Sequence, residues 1–169
     1  ILDELKKARA TDRPHHFNMK ILRDGGWLHE GRPIHRLPLV KLFSTVLSRD
    51  EKGQHWLITP VERGMIDVED SAFVSKDIRI NGEGKDRQAT ITTNIDQDWP
   101  LDKNHGLILK KDAQGADVPY LQLDKNLEAR ITRKDFYRLA EVAEPDAHDA
   151  TWLGLWSGGI FHRLGRRNG

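Results

Sequence analysis

The sequence predicts an α+β protein made mainly of antiparallel sheet, with a duplicated strand–helix–strand core. Short apolar runs with period-two alternation recur along the 169 residues, most clearly Ala89, Ile91, Thr93 and Ile95. Two longer stretches, 38–48 and 136–143, keep the spacing of a core helix instead. The surroundings of these two helices match. Arg36-Leu37 precedes the first and Arg130-Ile131 the second; Leu42-Phe43 answers Phe136-Tyr137, and Trp56-Leu57 answers Trp152-Leu153. The offsets are 94, 94 and 96 positions, as duplication of one supersecondary unit requires.

Residues 1–9 read as a short amphipathic helix, with Ile1, Leu5 and Ala8 on one face and Asp3 and Glu4 in its first turn. Pro14 and a loop pair, His15-His16, break it. Residues 19–22 form a strand, Asp24-Gly25 a tight turn and 27–29 the return strand. Gly31-Arg32-Pro33 turns the chain into a third short strand, Ile34-His35-Arg36. Pro38 suits the first helical position, and Leu39, Val40, Leu42, Phe43, Val46 and Leu47 carry the helix to 48. Trp56-Leu57-Ile58-Thr59 is a buried strand stopped by Pro60.

The middle of the chain is strand-rich. Ile66 and Val68 alternate with polar neighbours, as do Ile78 and Ile80, and Asn81-Gly82-Glu83-Gly84 is a hairpin turn. Leu107-Ile108-Leu109 is a short run before the Gln114-Gly115 turn, and 120–123 pairs with 127–131. Thr132 and Asp135 have capping-box spacing, and Phe136, Leu139, Ala140 and Ala143 line the helix that Pro145 ends. Strands at 152–156 and 160–164 flank Ser157-Gly158-Gly159, and 165–169 reads as a loose basic tail.

The length allows one ordinary domain or two small ones, read as halves 1–70 and 71–169 packed together. A formal charge of +1 argues against a dedicated nucleic-acid binder. No apolar run approaches the roughly 18 residues of a membrane-spanning helix. With no cysteine, disulfides and thiol chemistry are excluded, and a reducing cytoplasm suits the chain. The eight histidines lack zinc-hydrolase spacing, so no metal is expected. The glycine pattern at 82–84 lacks a following helix, so no dinucleotide cofactor is expected either.

The candidate site is a polar set that interrupts apolar segments. Thr59, Glu62 and Arg63 flank a proline bend, and Thr93 and Asn94 bring hydroxyl and amide groups to a strand. Trp156, Ser157 and Gly158 offer a stacking surface and free backbone N–H groups. Arg36 presents a donor fork to phosphate or carboxylate. Together these nine residues predict a small anionic ligand at the junction of the two halves. A hydrolase or transferase with Glu62 as base, and a protein-interaction module using exposed sheet edges, are the alternatives.

Several segments, in order, resemble one family. They are Arg23-Asp24-Gly25-Gly26-Trp27, Gly31-Arg32-Pro33-Ile34-His35-Arg36, Leu42-Phe43-Ser44-Thr45-Val46-Leu47 and Leu57-Ile58-Thr59-Pro60-Val61-Glu62. Thr93-Asn94, Phe136-Tyr137, Trp156-Ser157-Gly158-Gly159 and Leu164-Gly165 follow. The series, over about 18–165, resembles the bacterial domain of unknown function 1285, with Asn18 where an acidic residue is expected. The resemblance implies a duplicated α+β core and a later half that looks superficially like a pleckstrin-homology fold. It further implies a pocket for a nucleotide-like molecule and a role in signalling.

Overall fold

Alternation of apolar side chains lays down the first sheet. Phe17, Met19 and Ile21 are buried while their neighbours are exposed, which fixes the inner face of strand β1 (His15–Ile21). The structure, a computed structural model, describes residues 15–167. The helix expected at 1–9 lies outside them. His15 and His16 belong to β1 rather than to a loop, because His15 and His16 pair with Gly64 and Met65 of a neighbouring strand.

The chain forms two units. The first takes residues 15–72 and 125–127; the second begins at Phe73 and takes the rest. In the first unit β1, β2 (Trp27–His29) and β3 (Arg32–Pro33) form an antiparallel meander. Helix α1 (Leu37–Ser44) follows, then a second meander of β4 (Leu47–Arg49), β5 (His55–Ile58) and β6 (Arg63–Val68). The two meanders join through a parallel pairing of β1 with β6, giving the order β3-β2-β1-β6-β5-β4. Trp27 stacks on Phe43 of α1 at 6.0 Å, so helix and sheet share one core.

Two expectations are corrected here. The strand expected at 34–36 is instead Arg32–Pro33, and Ile34 only donates its N–H to Trp27 O. The first helix ends at Ser44, not 48. Thr45 turns its hydroxyl onto Leu42 O at 2.6 Å, and Leu47 is taken into a strand opposite Leu57, where both are fully buried. Apolar spacing alone does not separate a helix from a helix followed at once by a buried strand.

The second unit repeats this plan after a prefix. The prefix is the meander β7 (Phe73–Asn81), β8 (Gln88–Thr93) and β9 (Asp98–Pro100). Then come β10 (Leu107–Lys111), β11 (Asp117–Gln122) and β12 (Glu128–Arg130), helix α2 (Arg133–Ala140), and β13 (Glu144–Pro145), β14 (Trp152–Ser157) and β15 (Ile160–Arg166). Meander, eight-residue helix and meander thus recur in the same order, which establishes the duplication. The prefix attaches by parallel pairing of β12 with β7, giving a second six-stranded sheet, β10-β11-β12-β7-β8-β9. The last meander stays a separate three-stranded sheet. The basic tail is not loose at its start: β15 runs to Arg166, and Arg167 donates its N–H to Thr151 O.

The entrance to α2 departs from a capping box. Thr132 makes no side-chain cap bond. Its N–H donates to Ser75 Oγ at 2.9 Å, and Ser75 Oγ donates to Asp135 Oδ2 at 2.6 Å. Asp135 also accepts from Thr132 Oγ1 at 3.1 Å. A buried serine of β7 therefore relays the contact that capping-box spacing assigns to the helix alone.

Two glycines mark where backbone and side chain approach most closely. A Cβ on Gly64 would lie 2.3 Å from the buried Phe17 ring, and one on Gly154 would lie 2.0 Å from His162 O. Each alanine substitution is expected to cost about 1–3 kcal/mol, as overpacking does. Gly165→Ala, with no atom within 4 Å of its Cβ, is expected to stay within about 0.5 kcal/mol. Urea denaturation of the three variants checks this ordering.

Candidate functional site

The nine residues predicted from sequence fall in both units. In the first, Arg36 is exposed and precedes α1, where its carbonyl accepts from Leu39 and Val40. Thr59, Glu62 and Arg63 share the β5–β6 turn. Thr59 N–H donates to Glu62 O at 2.8 Å, Glu62 N–H returns to Thr59 Oγ1 at 3.0 Å, and the turn is closed by this exchange. Arg63 lies over the Trp56 ring at 5.5 Å.

In the second unit Thr93 is buried, and its hydroxyl accepts from Gln97 N–H. Asn94 mimics a strand residue: its N–H donates to Val74 O and its Oδ1 accepts from Val74 N–H. Trp156 packs edge-on to Phe161, with Lys85 over its ring. The Ser157 hydroxyl is turned inward, donating to Leu101 O at 2.6 Å and accepting from Ala89 N–H at 2.9 Å. Gly158 (φ +62°) allows the turn to pass Asp102, whose Cβ would lie 2.6 Å from an added Cβ. Thr59, Thr93, Asn94 and Ser157 thus commit their side-chain polar groups to backbone partners, while Glu62 joins its turn through its own backbone N–H and carbonyl.

A repeated constellation escaped the sequence reading. Asp50 and Asp146 stand 96 positions apart, as do Trp56 and Trp152. Asp50 opens the β4–β5 turn, accepts from Lys52 and Gln54 N–H, and takes the Trp56 indole N–H at 2.9 Å. Asp146 accepts from His148 N–H and takes Arg163 Nε at 2.8 Å, while Arg163 lies 4.9 Å over the Trp152 ring. The indole bond, with the Gln54 N–H, holds the Asp50 carboxyl below its ordinary range; the His148 N–H and Arg163 do the same for Asp146. Arg63 stands opposite Ile58, two residues past Trp56, and Arg163 opposite Gly154, two past Trp152. The common 96-residue offset was the available signal.

Arg166 has no such counterpart. It pairs directly opposite Trp152, where Met65 stands opposite Trp56 in the first unit. Its guanidinium lies 4.7 Å over the Trp152 ring and hydrogen-bonds none of the described side chains. The Asp149 carboxyl, depressed chiefly by the Thr151 hydroxyl and N–H, feels Arg163 and Arg166 only weakly.

Arg166 lines a cavity of about 410 Å³ with Leu109, Val118, Pro119, Phe136 and Leu164 as apolar wall. Trp152, Gly165 and Asp117 complete it, and Asp117 is paired with Lys111 at 2.9 Å. None of the nine predicted residues lines it. The cavity has a topological origin. In the first unit the opening strand β1 and closing strand β6 of the repeat pair in parallel. The equivalent strands β10 and β15 end separate sheets and do not pair. They approach near Gly106, where an added Cβ would lie 3.9 Å from His162 Nδ1, and the notch opens beyond, at Leu109 and Leu164.

His162 anchors the closed end of the notch. It is buried, with Nε2 bonded to Ser157 O at 3.0 Å. Burial lowers its pKa below 6.5, against the smaller opposing effects of the Ser157 carbonyl and Asp102. Among the described residues no cluster of His, Asp and Glu has metal-site geometry, and no helix is long and apolar enough to cross a membrane.

Family comparisons cover nearly the whole chain. Residues 10–71 match the DUF1285 N-terminal domain, and 72–164 match the C-terminal domain of the same family, described as of unknown function. A crystal structure of a DUF1285 family protein from Silicibacter pomeroyi DSS-3 is 37% identical, covering 91% of this chain and 84% of that one, with a TM-score of 0.82. A DUF1285 family protein from Shewanella baltica OS155 is 23% identical, covering 73% of this chain and 90% of that one, with a TM-score of 0.58, and shares the fold. No curated protein matches.

The lowered His162 pKa sets a pH dependence. The folded imidazole protonates at lower pH than the unfolded one, so the unfolded chain binds more protons as pH drops below 6.5. The stability contributed by the neutral imidazole is therefore complete above that value and is lost as pH falls below it. Melting temperatures from pH 7.5 to 5 should fall for the wild type and fall less for His162→Gln.

Proposed function

We propose a regulatory, ligand-binding function for this chain, which belongs to the DUF1285 family. The ligand is a small anion with a flat or apolar body, nucleotide-like molecules among them, and it binds in the notch between β10 and β15. One observation carries the reading: a guanidinium that hydrogen-bonds none of the described side chains, laid over an indole, lining a largely apolar cavity of ligand size. The structural duty of the repeated Asp–Trp–Arg cluster falls to Arg163. Arg166 is a cation beyond that need, with its planar fork free for carboxylate or phosphate. Trp152 holds the guanidinium in place and lowers the entropy lost when an anion binds. The lack of cysteine accords with a cytoplasmic setting for such a role.

Native mass spectrometry of freshly purified protein, and a thermal-shift panel of aromatic carboxylates and nucleoside monophosphates, test the proposal. A ligand should raise the melting temperature with the logarithm of its concentration. Arg166→Met, which installs the residue of the first repeat, should remove the shift while leaving the unliganded melting temperature within about 2 °C, given the small cost of surface substitutions. Gly165→Val should block the cavity. No shift across the panel, with no co-purified mass, would refute the reading.

A further inference from the structure

We infer that the notch recognises the free C-terminus of an extended peptide, which adds as a strand to the edge of β10; this rests on the ligand-binding reading above. The argument starts from which backbone groups face the gap. Gln122 N–H donates to Gly106 O, so the alternate residues Ile108 and Lys110 turn their backbone groups toward β11. Leu107, Leu109 and Lys111 turn theirs outward. On the other side Arg167 N–H donates to Thr151 O, which puts Gly165 in phase with β14 and turns the Arg166 backbone outward. Two of the lining residues, Leu109 and Arg166, thus turn toward the same opening strand groups that no described strand pairs.

The first unit shows what such edges do when they meet. There β1 and β6 satisfy one another in a parallel ladder. In the second unit the corresponding edges do not pair with each other, and a peptide strand supplies the missing partner for one of them. Charge selects which part of a peptide enters. Of the two guanidinium groups over Trp152, Arg163 is held by Asp146, while Arg166 lines the cavity and is available to a terminal carboxylate in the bidentate manner. The apolar wall of Leu109, Pro119, Phe136 and Leu164 takes the last side chain. Carboxylate, amide backbone and apolar side chain are the three parts of a peptide C-terminus, and the notch has a surface for each.

The test uses the full 169-residue chain with two pools of dye-labelled hexapeptides, randomised over the last three positions. One pool ends in a free carboxylate, the other in an amide. The free-acid pool should be retained about tenfold better, the share of one charge-assisted bidentate contact, and mass spectrometry of the retained fraction should show apolar final residues. Arg166→Met should remove the preference for free acid. Leu109→Pro, which deletes one outward N–H at an edge that tolerates proline, should weaken both pools. Backbone amide shifts on binding should concentrate at Leu107–Lys111 and Leu164–Arg166. Equal retention of the two pools, no retention of either, or undisturbed amides at Leu109 and Arg166 would overturn the inference. Where aromatic carboxylates still raise the melting temperature, the peptide inference falls alone; where they do not, the ligand-binding reading falls with it.

Discussion

Everything distinctive about this protein follows from how the first and last strands of a meander–helix–meander unit dispose of their outer edges. A strand edge is a row of backbone donors and acceptors that must be paired, covered or left to solvent. In the first unit β1 and β6 pair with each other in parallel, an arrangement local in space but distant in sequence. The bulge in β1, where Asn18 takes a φ of +52°, shifts the register between His16 and Lys20 so that both ends of the ladder remain paired. With that pairing made, the six strands form one sheet and the helix closes its apolar face.

The second unit meets the same constraint with more strands to place. Its prefix meander pairs β7 with β12, at the end of the repeat's first meander opposite to β10. Ser75 of β7 then enters the hydrogen-bonded network of Asp135 and Thr132, so the prefix is bound into the start of α2 as well as into the sheet. The last meander is held elsewhere: Ser157 ties its turn to Ala89 and Leu101. With both meanders anchored this way, β10 and β15 come close near Gly106 without pairing, and both line the cavity, at Leu109 and at Leu164 to Arg166. The cavity is the space left by a ladder that the first unit has and the second lacks.

Much of the fold was legible because its signals are local. Alternation found most strands, Pro38 marked the start of the first helix, and the 94–96 offset exposed the repeat, although the second helix ends at Ala140, and Ala143 and Pro145 lie beyond it, Pro145 in a strand. What escaped was non-local. Leu47 looks helical beside Phe43 and becomes a strand residue only because Leu57 faces it across a hairpin. Thr132 and Asp135 have the spacing of a self-contained cap, yet Ser75, 57 residues away from Thr132, completes the bonding. The predicted polar residues were chosen as interruptions of apolar runs. In Thr59, Asn94 and Ser157 those interruptions bond to backbone in turns and strand ends. Arg166 was passed over because a run of arginines near a terminus reads as solvated charge. Its distinction is positional: it faces a tryptophan across a strand pair, and its counterpart in the other copy is a methionine.

The irregularity in the β14–β15 pairing has a consequence for that arginine. Residues 163 and 166 are three apart, and in an unbroken strand an odd separation sends two side chains to opposite faces. Here Leu164 is an extra residue between the pairs Leu153–Gly165 and Gly154–Arg163, and it resets the phase of the strand. Arg163 and Arg166 are brought to one side, where both reach the Trp152 ring. A single inserted residue, neither charged nor polar, therefore decides whether this surface carries one cation or two. In the descent of such a duplicated chain, a one-codon change in length would switch the electrostatic character of the second copy without altering any residue that bears charge.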